Sequence, residues 1–173
     1  MARSILAVTL AVANAIAVPA AVAQTPQTTQ TIGMARAVAI AQEARPGGIL
    51  EAELDSDLGA LVYEIEIVSD GTIHEAVIDA RSGELIELEE HTIEATWLGW
   101  FDEERLAAAK QASGTVQDAI AQAEAMFGGQ VVELSLEEDN DRLFWEFEIA
   151  TGDRELEAYM NIQTGEIFAG EMD

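Results

Sequence analysis

Tyr63-Glu64-Ile65-Glu66-Ile67-Val68 recurs as Trp145-Glu146-Phe147-Glu148-Ile149-Ala150, and Asp79-Ala80-Arg81-Ser82-Gly83-Glu84-Leu85 recurs as Asn161-Ile162-Gln163-Thr164-Gly165-Glu166-Ile167. Both pairs are separated by the same 82 residues, with no gap. Carried backwards, that offset matches Ala37-Val38-Ala39 to Ala119-Ile120-Ala121, Gly47 to Gly129, Glu51 to Glu133 and Leu54 to Leu136. A repeat of this length sets the architecture and is read before anything else. Within each copy Tyr63, Ile65 and Ile67, or Trp145, Phe147 and Ile149, alternate with glutamates. That is the period of a strand with one face in a core and the other in water.

Working outward, each copy opens with a helix. Met34, Ala37, Val38, Ala41 and Ala44 recur at helical spacing until Pro46-Gly47-Gly48 stops the run. In the second copy Thr115 is the expected N-cap, with Val116, Ala119, Ile120, Ala123, Met126 and Phe127 on one face and Gly128-Gly129 as the stop. A first strand follows, with Leu50, Ala52 and Leu54 opposite Glu51, Glu53 and Asp55, or Val132, Leu134 and Leu136 opposite Glu133, Ser135 and Glu137. Polar breaks at Asp57-Leu58-Gly59 and Asp139-Asn140-Asp141 turn the chain into the central strands. A third strand runs over about 72–79 or 155–161, and Ser82-Gly83 or Thr164-Gly165 leads into a short fourth. The expected fold is α+β, in two tandem repeats, each one helix packed on a three- to four-stranded antiparallel β-meander.

The expected segments are a signal peptide over 1–23, a flexible leader over 24–31, repeat 1 over 32–90, a linker over 91–114 and repeat 2 over 115–173. One arginine, an apolar run from Ile5 to Val18, Pro19 and then Ala21-Val22-Ala23 form the pattern of a secretory signal. The expected address is therefore periplasmic or secreted. There is no cysteine, so no disulfide supports the fold. Units of about 60 residues bury too little surface to be comfortable alone, so the two copies are expected to pack on each other. The chain carries 33 acidic residues against 8 basic ones, a net charge of −25. Nucleic acid and anionic membranes are poor partners for such a surface, whereas basic proteins, basic peptides and divalent cations suit it. Solubility in a salty habitat is the plainer explanation of the same charge.

Helix, glycine break, acidic strand, aromatic-Glu-apolar-Glu strand and Asp/Asn-x-x-Ser/Thr-Gly-Glu turn, in that order and twice over, resemble the PepSY domain family. The carrying residues are Tyr63-Glu64-Ile65-Glu66 with Asp79 to Glu84, and Trp145-Glu146-Phe147-Glu148 with Asn161 to Glu166. Asn161 stands where aspartate is more usual. The resemblance implies a small non-enzymatic module of the kind found in propeptides of thermolysin-type metallopeptidases and in exported bacterial proteins. It supplies no catalytic residues. No peptidase follows the second copy, so inhibition of one is expected to act in trans.

The residues themselves argue against an enzyme. Nucleophilic catalysis needs a base beside Ser or Cys, and the only histidines are His74 and His91. His74 shares a strand face with Ala76 and Ile78 and reads as a core or edge histidine. No His pair or Cys cluster points to zinc. Asp55, Asp57 and Glu66, like Glu137, Asp139 and Glu148, fall on the frame of an EF-hand loop, but Ala60 and Arg142 stand at the required glycine and the flanks are strands. No cofactor is expected, with calcium kept only as a weak alternative. If Glu51, Glu53, Glu64, Glu66, Glu75 and Asp79 share one sheet face, like charges meet across strands and cost stability. The partner-binding candidates are Glu64, Glu66, Glu146 and Glu148 on that face, together with Trp97, Trp100 and Phe101 in the linker. Those linker aromatics either fill the seam between copies or anchor a partner. A peptidase or other basic protein partner is the sharpest reading, and a cation-binding or sensory module is the alternative.

Overall fold

The computed structural model describes residues 30–57, 59–91, 103–112, 115–140 and 142–170. In chain order the elements are α1 (Met34–Ala44), β1 (Gly48–Asp57), β2 (Ala60–Ser69), β3 (Thr72–Asp79), β4 (Leu85–His91), α2 (Glu103–Ala112), α3 (Val116–Phe127), β5 (Gln130–Asp139), β6 (Arg142–Thr151), β7 (Arg154–Asn161) and β8 (Ile167–Ala169). The α+β fold and the tandem helix-plus-meander units are as the periodicity dictates. Their union goes further than packing. The two meanders form one eight-stranded antiparallel sheet in the order β4-β3-β2-β1-β5-β6-β7-β8.

The join is the pairing of β1 with β5, where Ala52 lies opposite Leu134, Glu51 opposite Ser135 and Glu53 opposite Glu133. Ala52 and Leu134 are equivalent positions of the repeat, so a local twofold axis passes between them. Each copy thereby covers the other's first strand, whose edge would otherwise expose unpaired N–H and C=O groups. The helices α1 and α3 lie over the seam on the core face. The Gln117 amide donates to the Gln42 carbonyl oxygen across them at 2.6 Å.

The core is the face read from the alternation. Tyr63, Ile65, Ile67, Trp145, Phe147 and Ile149 are all buried against Met34, Ala37, Val38 and Ala41 of α1 or Val116, Ala119, Ile120 and Ala123 of α3. Alanines at Ala37, Ala41, Ala119 and Ala123 let the helices approach the sheet closely. Ala44 and Met126, expected on the buried faces, are exposed instead, whereas Phe127 does pack against the core. Thr115 does precede α3, but its hydroxyl donates to the Ala112 carbonyl and makes no cap bond to the helix.

Two features depart from a simple alternation. Leu50 in β1 and Val132 in β5, again equivalent positions, have no partner across the ladder, so each first strand carries a β-bulge. The bulge lets Ile49 and Ala52, or Val131 and Leu134, both reach the core despite their odd spacing. The second departure is α2. Gly48 pairs with Val68, two residues along from Glu66, so both project to the glutamate face. A Cβ on Gly48 would collide with the backbone of Ala109 in α2. The linker helix therefore covers one end of the face expected to be wholly solvated.

Because Leu134 is fully buried on the twofold axis, Leu134→Ala is expected to lower the unfolding free energy of the whole chain by about 2–5 kcal/mol. Denaturant titration should still show one transition with an unchanged slope. Two separated transitions in the wild-type chain would contradict a single cooperative sheet.

Candidate functional site

The glutamate face is built by register. Glu64 and Glu66 on β2 and Glu146 and Glu148 on β6 do project to one side of the common sheet, and the β1–β5 pairing extends them into two rows. One runs Glu89, Glu75, Glu66, Glu51, Ser135, Glu146, Tyr159 along directly paired positions. The other runs Glu87, Val77, Glu64, Glu53, Glu133, Glu148, Glu157. Glu51, Glu53, Glu64, Glu66 and Glu75 surround a small hollow of about 70 Å³.

Crowding of like charge shows in the titration of the central groups. Partial burial, reinforced by Glu148, Glu53, Glu51 and Glu146, pushes the Glu133 carboxyl above the usual carboxylate range. Burial likewise pushes Glu146 up, with Glu137, Glu157 and Glu148 adding to it, while the Tyr159 hydroxyl opposes the shift. That hydroxyl donates to Glu146 Oε1 at 3.2 Å. The ion pairs Arg36–Glu43 and Arg45–Asp70 lie away from these rows.

In the second copy the acidic face ends in an aromatic cluster in which Phe144 and Tyr159 are buried and Phe168 is exposed. Tyr159 stacks on Phe168 with ring centroids 5.6 Å apart, and Phe144 meets Phe168 edge-on at 6.2 Å. The first copy has Val62, Val77 and Ile86 at these positions. The alternation alone placed Phe144 and Tyr159 on strands, but only the register shows that they flank the glutamates. Glu133 and Glu157 were missed for the same reason. Trp97, Trp100 and Phe101 lie outside the described residues.

Asp79 does not join the acidic face. Its Oδ1 accepts hydrogen bonds from the backbone N–H of Arg81 at 3.0 Å and of Ser82 at 2.7 Å, and from the Ser82 hydroxyl at 2.8 Å. These bonds hold its carboxyl below the usual range. Asn161 does the same work in the second copy, accepting from Gln163 and Thr164 N–H at 2.9 Å each. Gly83 and Gly165 follow with φ of 75° and 71°, a conformation that suits glycine. The repeated turn motif is thus a folding device that closes the β3–β4 and β7–β8 connections, and aspartate or asparagine serves because only the acceptor oxygen is used.

His74 is buried on the core face, between Ile67 and Glu90 on the neighbouring strands, and its Nε2 has no hydrogen-bond partner among the described residues. It touches neither row of carboxylates. The windows that match an EF-hand frame are hairpins, with Asp55 opposite Val62 and Glu66 opposite Glu51, so their carboxylates are spread along two strands. Among the described residues no group of three or more His, Cys, Asp or Glu is arranged to hold a metal ion.

The PepSY family, described as "Peptidase propeptide and YPEB domain", matches residues 31–89 and again residues 114–171. The chain belongs to the PepSY family. Both matched regions coincide with one helix-plus-meander unit each. No curated protein matches this chain. Among solved structures, a provisionally assigned lipoprotein from Clostridium difficile 630 aligns over 76% of this chain and 87% of its own, with 24% identity and a TM-score of 0.42. In this PepSY chain no helix among the described residues is long and apolar enough to cross a membrane.

Two outcomes follow for the acidic groups. Glu133 and Glu146 are raised in the fold, so the stability tied to their neutral forms is present below the ordinary carboxylate pKa and is lost as pH rises through the folded values. Glu133→Gln is therefore expected to raise the melting temperature at pH 7, and the gain should vanish at low pH and shrink in high salt. A gain independent of both would contradict repulsion as the cause. Asp79 runs the other way, since its depressed pKa gives stability that is present above the ordinary value and lost as pH falls. Asp79→Ala should lower the melting temperature at neutral pH, whereas Asp79→Asn should leave it nearly unchanged and remove this site's acid sensitivity.

Proposed function

We propose that this PepSY protein is an exported, non-enzymatic binding module that receives a basic protein or peptide on its glutamate face. The observation that carries the proposal is the alignment of carboxylates from both copies into two rows across one continuous sheet. Such an array concentrates negative potential over a broad surface and steers cationic partners to it. Like charges placed opposite across its strands repel, and positive charge brought to the array offsets that repulsion. Glu64, Glu66, Glu146 and Glu148 are the central contacts in this reading, with Glu133 between them at the seam. Exposed Phe168, packed on buried Phe144 and Tyr159, offers apolar anchorage beside the charge, and aromatic residues often dominate binding energy.

The family's tie to peptidase propeptides makes a peptidase the partner class of choice, held inhibited or assisted in folding. Trp97, Trp100 and Phe101 are assigned to the same contact, since α2, directly after them, borders the glutamate face. In this reading residues 1–23 are a signal peptide and 24–31 a leader, residues 32–90 and 115–173 are the two repeats joined by the linker 91–114, and the protein works in the periplasm or outside the cell.

The test is capture from the host's extracellular and periplasmic fractions with the tagged, exported protein, at low and at high salt. A basic protein retained at low salt and released at high salt is expected, and its association rate should fall by about tenfold or more as salt is raised. The variant carrying E64Q, E66Q, E146Q and E148Q should lose it while melting no earlier than wild type. Retention unaffected by that variant would remove the glutamate face from the contact. If the captured protein is a peptidase, its proteolysis of a casein substrate should change on adding the purified chain.

A further inference from the structure

On the core side of the sheet the two copies differ around Tyr63 and Trp145, and a cavity lies beside Trp145. In the first copy the chain before α1 lies as an extended plug. Ile32 N–H donates to the Ala80 carbonyl at 2.8 Å, and the Tyr63 hydroxyl donates to Thr31 Oγ1 at 3.0 Å. The Ile32 side chain reaches the closing turn, where a Cβ on Gly83 would lie 3.4 Å from Ile32 Cδ1 and 3.1 Å from Ile40 Cδ1. Tyr63, beneath the plug, is buried with its hydroxyl satisfied.

Adding 82 to each number gives the second copy: Trp145 for Tyr63, Ile162 for Ala80, Gly165 for Gly83 and Gln122 for Ile40. Position 114, the equivalent of Ile32, is a glycine and brings no side chain. Among the described residues nothing lies within 4 Å of where a Cβ on Gly165 would stand. Between α3 and the end of β6 and β7 lies a cavity of about 210 Å³, lined by Trp145, Met160, Ile162, Gly165, Asp118 and Gln122 among others. Trp145 is 1% exposed, and its buried Nε1 has no hydrogen-bond partner among the described residues. A buried indole N–H normally finds an acceptor, and leaving it unmet costs free energy. The volume corresponds to roughly seven water molecules at liquid density, ample for one branched aliphatic side chain.

We propose that this cavity is a peptide-binding slot, and that it takes an extended segment in which a branched aliphatic residue follows Ser or Thr, as Ile32 follows Thr31 in the first copy. The aliphatic side chain fills the space over Trp145, Met160 and Gly165. The preceding hydroxyl accepts from the Trp145 indole N–H, and the aliphatic residue's own N–H donates to the Ile162 carbonyl. Asp118 at the rim stands where the first copy has Arg36, which favours a basic residue beside the plug in the incoming peptide. The slot lies on the helix side of the sheet, away from the glutamate rows, and does not rest on the function proposed for them.

The probe is an acetylated, amidated hexapeptide with this chain's own plug sequence, Thr-Gln-Thr-Ile-Gly-Met, titrated into the full protein while the Trp145 indole N–H is followed by NMR. The resonance is assigned by its loss in Trp145→Phe. A saturable shift is expected, little changed by salt because the peptide carries no charge. Replacing its Ile by Ala should weaken binding on the order of tenfold or more, and Gln122→Trp should block the slot while Gln122→Ala leaves it open. No shift at millimolar peptide, or equal binding of a peptide with Asp in place of Ile, would overturn the proposal.

Discussion

The structure depends on the ladder between β1 and β5. Each copy is too small to bury a self-sufficient core, and without cysteine it has no covalent support. Pairing equivalent strands about Ala52 and Leu134 answers both needs, because it removes two sheet edges and places α1 and α3 side by side over a shared interior. The glycine breaks and the paired bulges at Leu50 and Val132 serve that union. They bring the start of each first strand under its helix while its middle remains free to meet the other copy.

The same ladder creates the surface on the other side. Once equivalent strands are joined, every outward glutamate of one copy is aligned with those of its twin, and like charges stand directly opposite at Glu53 and Glu133. The result is a face under repulsion, with central carboxyls displaced upward by burial and by one another. Hydrophobic burial on the core face outweighs this cost, since fully burying a side chain such as Ile65 or Phe147 contributes about 1.5–3 kcal/mol. A fold can thus carry a charge array that would not assemble by itself.

Repetition also shows where the copies have parted. The turn at Asp79 and Asn161 kept its geometry, because one acceptor oxygen and one glycine satisfy it. Around Tyr63 and Trp145 the copies differ: the ring is larger in the second, glycine stands at 114 for the plugging isoleucine and Gln122 for Ile40. On the glutamate face Phe144 and Tyr159 stand for Val62 and Val77. Differences of this kind leave the shared scaffold intact while giving the two halves different chemistry.

The sequence by itself determined the repeat, the helices, the strands and which side chains face the core, since a period of two and a period of 3.6 are local properties of the chain. It also determined that Glu64, Glu66, Glu146 and Glu148 face away from that core. Alternation names a face but not a neighbour. That β1 meets β5, that Glu133 stands among Glu53 and Glu148, that α2 lies against Gly48 on the acidic side, and that a slot opens over Trp145 were decided by contacts between residues far apart in the chain. Such contacts depend on how complementary surfaces meet after the elements have formed, and no periodicity within a single element encodes them.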